Sequence, residues 1–81
     1  MQWQKVKNVN PPPNQILMIW SGYGVGFAYR FTNKKKQDII QISDNYIELI
    51  EDGEYKEKLF NQFKLTDKDS YWCIFHEPEG N

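Results

Sequence analysis

One histidine, one cysteine and one run of lysines are the residues of this chain on which chemistry could be built. His76 stands near Asp69, Glu77 and Glu79. A metal site needs several ligands at a fixed spacing, and a lone imidazole among scattered carboxylates has none. As a general base, His76 lacks a nucleophile. Ser70 is the nearest hydroxyl of that kind, and no third group completes a triad. Cys73 lies inside the aromatic stretch Tyr71-Trp72-Cys73-Ile74-Phe75, where a thiol acts as a small buried hydrophobe. Being the single cysteine, it rules out an internal disulfide and a cysteine-only zinc site within one chain. Gly22-Tyr23-Gly24 matches neither nucleotide-binding glycine pattern: there is no G-x-G-x-x-G and no lysine of the P-loop type. The expectation is a non-enzymatic protein with no catalytic residue, no metal and no cofactor.

What remains is binding chemistry. Arg30 and the loop lysines Lys34, Lys35 and Lys36 could neutralise phosphate while aromatic rings stack a base, which would make the chain a sequestering protein for a small ligand or nucleotide signal. A homo-oligomer would suit that role, since so small a domain rarely encloses a full pocket alone. The same lysines also fit a solvated loop or a protected strand edge. Tyr23, Tyr46 and Tyr55, with the acidic residues Glu51, Asp52 and Glu54 about Gly53, are candidates for a partner-binding surface, because interfaces favour aromatic anchors. The wider acidic group, with Glu48 and Glu57, reads as a solvated face that could also mimic phosphate spacing. Charged residues are 26% of the chain and the net charge is −1, so the basic excess of a nucleic-acid-binding domain is missing. Single-strand binding by stacked Trp and Tyr ranks third.

These side chains need elements to hold them, and 81 residues allow one domain, residues 1–81. A chain of this length buries about 60–65% of its unfolded surface, which leaves a narrow margin of stability. Aromatic residues make up 16%, enough for Trp3, Trp20, Trp72 and their neighbours to build a core from few positions. The organising stretch is a hairpin. Residues 16–20 form a continuous apolar run bounded by turn residues, the pattern of a strand buried on both faces. Residues 25–31 alternate: Val25, Phe27, Tyr29 and Phe31 share one face, while Gly26, Ala28 and Arg30 share the other. The small residues of the second face admit close approach by another element. Gly22 and Gly24 supply the backbone freedom of the connection.

Residues 1–7 read as a strand with Trp3 and Val6 as its buried contacts, on opposite faces unless a bulge intervenes. Pro11, Pro12 and Pro13 stiffen the next connection and forbid ladder pairing there. They either offer a ligand to a partner domain or pack on the chain's own aromatics, and the second reading leads. Residues 38–42 form a strand, residues 43–45 a turn, and residues 46–50 could return as a hairpin arm. From Tyr55 the period changes: Tyr55, Leu59, Phe60 and Phe63 line one face of a helix, with Asp52 or Gly53 near its N-cap. A tight Asp52-Gly53 turn between strands competes, but it would oppose Glu48 to Glu57 and Glu51 to Glu54. Residues 71–75 close the sheet, with Tyr71, Cys73 and Phe75 on one face and Trp72 and Ile74 on the other. The fold class expected is α+β: a small antiparallel sheet of about five strands, with a half-open SH3-like barrel as one arrangement, and one packed helix.

At its two ends the chain resembles a family of short phage and prophage proteins known only as a domain of unknown function. Members open with a Trp, a Val and a proline-containing turn before an apolar strand. A Gly-rich bend and an aromatic strand follow, and the close has the form T-H-W-x-P-L-P-E-P-P. The matching pieces are Trp3, Val6, Pro11, Pro12, Pro13, residues 16–20, residues 25–29 and the closing Tyr71-Trp72-Cys73-Ile74-Phe75-His76-Glu77-Pro78. Residues 38–68 are longer than that family allows. Tyr71 replaces its His, and Ile74 and His76 replace two of its prolines. The resemblance implies a phage or mobile-element origin and no catalytic residues. The leading expectation is therefore a phage-derived binding protein that inhibits a host protein, a defence or replication factor. No apolar run is long enough to span a membrane, and the polar start is not that of a secretory leader. A cytoplasmic protein of an infected or lysogenic bacterial host is expected.

Overall fold

A hairpin stands at the centre of the sheet. The computed structural model describes residues 2–21, 24–45 and 55–76. Its elements in chain order are β1 (Gln4–Lys5), β2 (Ile16–Ser21), β3 (Gly24–Thr32), β4 (Asp38–Ser43), β5 (Lys56–Leu59), the helix α1 (Phe60–Thr66) and β6 (Tyr71–Ile74). The strands form one antiparallel sheet of six, ordered β1-β6-β2-β3-β4-β5, so the α+β class holds with one strand more than expected. The sheet is open, with β1 and β5 as its edges. β2 and β3 meet at Ser21↔Gly24 across a two-residue link, and Gly24 takes φ +136°, a conformation an L side chain rarely adopts.

The alternation of β3 decides what packs where. Gly26 and Ala28 face the helix layer, opposite Ile19 and Leu17 of β2. A Cβ on Gly26 would meet the Ser43 carbonyl oxygen at 3.1 Å, so the residue is small because β4 comes close. The core gathers on this side: Val6, Leu17, Ile19, Ala28, Ile40, Phe60, Phe63 and Trp72, with Ile42 packed against it. The hairpin supplies only part of it. Phe60 and Phe63 enter from α1, each burial being worth about 1.5–3 kcal/mol.

Three expectations give way. Residues 16–20 are not buried on both faces: Leu17 and Ile19 are, while Trp20 is exposed. β1 is two residues long, and Trp3 is 37% exposed while Val6 is fully buried. They lie on opposite faces as strand geometry demands: Val6 enters the core with the helix, and Trp3 lies with Trp20, Val25 and Tyr71 on the other side. The helix does not begin at Tyr55. Residues Lys56–Leu59 pair with β4 in the register Ile42↔Lys56 to Ile39↔Leu59, and α1 runs only from Phe60 to Thr66. The backbone of β4 needs a second partner, and that outweighs the four-residue spacing of Tyr55, Leu59 and Phe63. Tyr55 therefore precedes a strand, and Leu59 lies exposed on it. α1 has no side-chain N-cap; at its other end the Asp67 N–H donates to the Phe63 carbonyl at 2.8 Å.

The proline connection is tied to the domain through Pro11 and Val9, while Pro13 is exposed. Pro11 is buried, the Trp72 indole N–H donates to the Val9 carbonyl at 2.8 Å, and Arg30 Nη1 donates to the Pro11 carbonyl at 2.8 Å. Lys64 of α1 donates to Asn10 Oδ1 at 2.7 Å.

Candidate functional site

The sheet face away from α1 carries rows of side chains that run straight across the strands. Register places Lys5, Tyr71, Trp20 and Val25 in one row over β1, β6, β2 and β3. The next row is Cys73, Met18, Phe27 and Ser43, and a third is Ile16, Tyr29, Gln41 and Glu57. Phe31, Ile39 and Leu59 make a fourth. Among the described strand positions of this face, only Lys5 and Glu57 are charged.

The first row is the most open. Trp20 is 41% and Val25 51% exposed, and with Trp3 and Tyr71 they line a depression of about 450 Å³. Trp20 and Tyr71 are a cross-strand pair whose rings lie 5.7 Å apart at 54°. Lys5 Nζ sits 6.0 Å from the Tyr71 ring and 3.8 Å from the exposed Asp69 carboxylate, a pair too solvated to hold either charge firmly. The Trp72 indole has the Val9 carbonyl as its acceptor, but those of Trp3 and Trp20 have none among the described residues. A second hollow, of about 540 Å³, follows the edge of β6 from Trp72 to His76, where β1 stops short.

The phosphate-binding set does not assemble as anticipated. Arg30 is largely buried on the helix side, and all three of its nitrogens are engaged within the domain. Nε and Nη2 donate to the two oxygens of Asp38 at 3.0 and 2.6 Å, Nη1 holds Pro11, and the guanidinium lies 4.1 Å from the Phe60 ring centroid. Lys34, Lys35 and Lys36 are exposed in the turn between β3 and β4. The turn is held by Asn33, whose Oδ1 accepts from the Lys35 and Gln37 N–H groups at 2.9 Å each, with Lys36 at φ 61°.

Of the partner-binding candidates, Tyr23, Tyr46, Glu51, Asp52 and Glu54 lie outside the described residues, and Tyr55 is half-buried. Glu57 is exposed and accepts from Gln41 Nε2 at 3.3 Å. Cys73 is buried, and burial pushes its thiol above the usual cysteine value. His76 is exposed, and no cluster of three metal-ligating side chains occurs among the described residues. Sequence reasoning missed the row of Lys5, Tyr71, Trp20 and Val25. Its signal was the phase of β3, since placing Gly26 and Ala28 inward leaves Val25 and its pair Trp20 outward.

No family model, curated protein or solved structure matches the chain.

Proposed function

We propose that this chain is a non-enzymatic binding domain that engages a protein partner through the helix-free face of its sheet. The observation that carries this reading is the row of Tyr71, Trp20 and Val25 with Trp3 beside it. Trp20 is left open there on a central strand of the sheet, with Trp3 open just before β1 and Tyr71 half-buried between them. Partner surfaces are anchored by Trp and Tyr, whose area is large for the few torsions they freeze. The resemblance of the two ends to a phage family supports placing that partner among host proteins, where binding would inhibit a defence or replication factor. The ligand-sequestering reading is weakened at Arg30, each of whose three nitrogens already donates to Asp38 or Pro11.

The test is capture from a bacterial lysate on tagged wild-type protein and on the Trp20→Ala variant, read by native mass spectrometry. A polypeptide retained by the wild type and reduced at least about tenfold on the variant is the expected result. A partner held equally by both would remove this face from the proposal, and a bound species of only hundreds of daltons would replace a protein partner with a small ligand.

A further inference from the structure

The polar side-chain atoms of the residues that line the Trp20 depression are two indole nitrogens and a phenol, with Lys5 and its partner Asp69 at the end of the row. An indole nitrogen and an ammonium can only donate, and a phenol can donate as well as accept. Trp3 and Trp20 each present an indole N–H with no acceptor among the described residues, Lys5 adds an ammonium at the end of the row, and the rest of the depression is aromatic and aliphatic. The complementary ligand is apolar and rich in acceptors but poor in donors. A proline-rich segment in the polyproline II conformation fits that description: its prolines lack N–H groups, and its carbonyls point outward without internal partners. The dimensions agree. Four strands at about 4.8 Å spacing make a row roughly 14 Å long, which corresponds to about four or five residues of polyproline II at 3.1 Å each.

Two rival ligand chemistries fit less well. A cationic ligand such as a methylated lysine would want the same rings, but Lys5 already stands 6.0 Å from the Tyr71 centroid and repels it. A single nucleic-acid strand would stack on the rings, but it needs a line of cations. The described strand positions of this face offer one lysine, shared with Asp69. We infer that the Trp3, Trp20, Val25 and Tyr71 depression is a docking groove for a proline-rich segment of a partner protein. The inference rests on the partner-binding reading of this face and adds the chemistry of what docks there.

The probe is a capped ten-residue oligoproline titrated into the full ¹⁵N-labelled chain, with a Gly-Ser peptide of equal length as control. The expected result is a saturable shift of the Trp3 and Trp20 indole N–H resonances with Trp72 unmoved. Trp20→Ala should weaken the binding at least about tenfold while the Trp72 resonance reports an intact fold. Val25→Lys, at a position 51% exposed, is a second variant that should weaken it without touching the core. No shift at millimolar oligoproline, or an equal shift with the Gly-Ser peptide, overturns the inference. So does a shift produced by oligothymidylate instead. Indole shifts that follow protein concentration without peptide overturn it in favour of a second copy of this chain. Lysate capture that depends on Trp20 while oligoproline is silent would retain the protein partner and discard the proline-rich ligand. Capture indifferent to Trp20 together with silent oligoproline would discard both.

Discussion

Arg30 shows how one side chain can serve three parts of a small domain. Its two hydrogen bonds to Asp38 tie the start of β4 to β3, its third holds the proline connection at Pro11, and its flat face covers Phe60. A guanidinium suits this because its planar fork can bond in two directions while one face stacks, which an ammonium cannot do. Asp38 is more exposed than its partner, so part of the pair's attraction is screened. Arg30→Ala should therefore cost about 2–3 kcal/mol and Asp38→Ala about 1 kcal/mol. In a double-mutant cycle by urea unfolding, the excess of Arg30→Ala should survive the loss of Asp38, because the Pro11 and Phe60 contacts do not depend on it. Equal costs for the two single variants would reduce Arg30 to a simple ion pair.

At the scale of elements, α1 is seven residues long and has no side-chain cap at its start. A helix this short does not stand on its own propensity, so it exists because Phe60 and Phe63 bury on the sheet. Phe60→Ala should cost about 3–5 kcal/mol, lowering the melting temperature by at least about 12 °C. Leu65→Ala, in the same helix but 78% exposed, should change stability by less than about 0.5 kcal/mol. Thermal melts of the two variants check both figures. The same helix shows how far the sequence could be read. The central hairpin and β4 were legible because their alternation or apolar runs are bounded by turn residues, and β6 because residues 71–75 are a short apolar, aromatic run too brief for a helix. β5 was not. Lys56, Glu57 and Lys58 carry no apolar period, and their strand conformation comes from β4, a partner far away in sequence. Tyr55, Leu59 and Phe63 then mimicked a helical face, although Leu59 belongs to the strand and only Phe60 and Phe63 reach the core. The candidate site was illegible for a related reason. A row across four strands is a property of register, and register depends on which face of each strand is covered.

For the whole molecule, the core is a single layer of contacts between one sheet face, one helix and the proline connection. Cys73 reports on the opposite side of the sheet. Its thiol lies on the helix-free face of β6 but is only 3% exposed, and burial raises its pKa. The thiolate is therefore disfavoured in the folded state. The stability linked to this group is whole below the ordinary cysteine value of about 8.5 and drains as pH climbs through the raised folded value. The fall in wild-type stability from pH 8 to pH 10 should thus exceed that of Cys73→Ala. Iodoacetamide should modify native Cys73 at least about a hundredfold more slowly than the urea-unfolded chain, since reaction requires β6 to open. Rapid labelling of the native protein would show that β6 leaves the sheet without global unfolding.

The place of β6 also bears on how the chain is made. It fills the gap between β1 and β2, so the chain must be made through Ile74 before the sheet is continuous. Until Tyr71–Ile74 leave the ribosome, the apolar residues Leu17 to Trp20 present an unpaired backbone edge beside an already formed β2–β3–β4 meander. Such an edge is a template for pairing with another nascent chain. Among the described strands, the one farthest along the chain is thus the one that covers the exposed edge of β2.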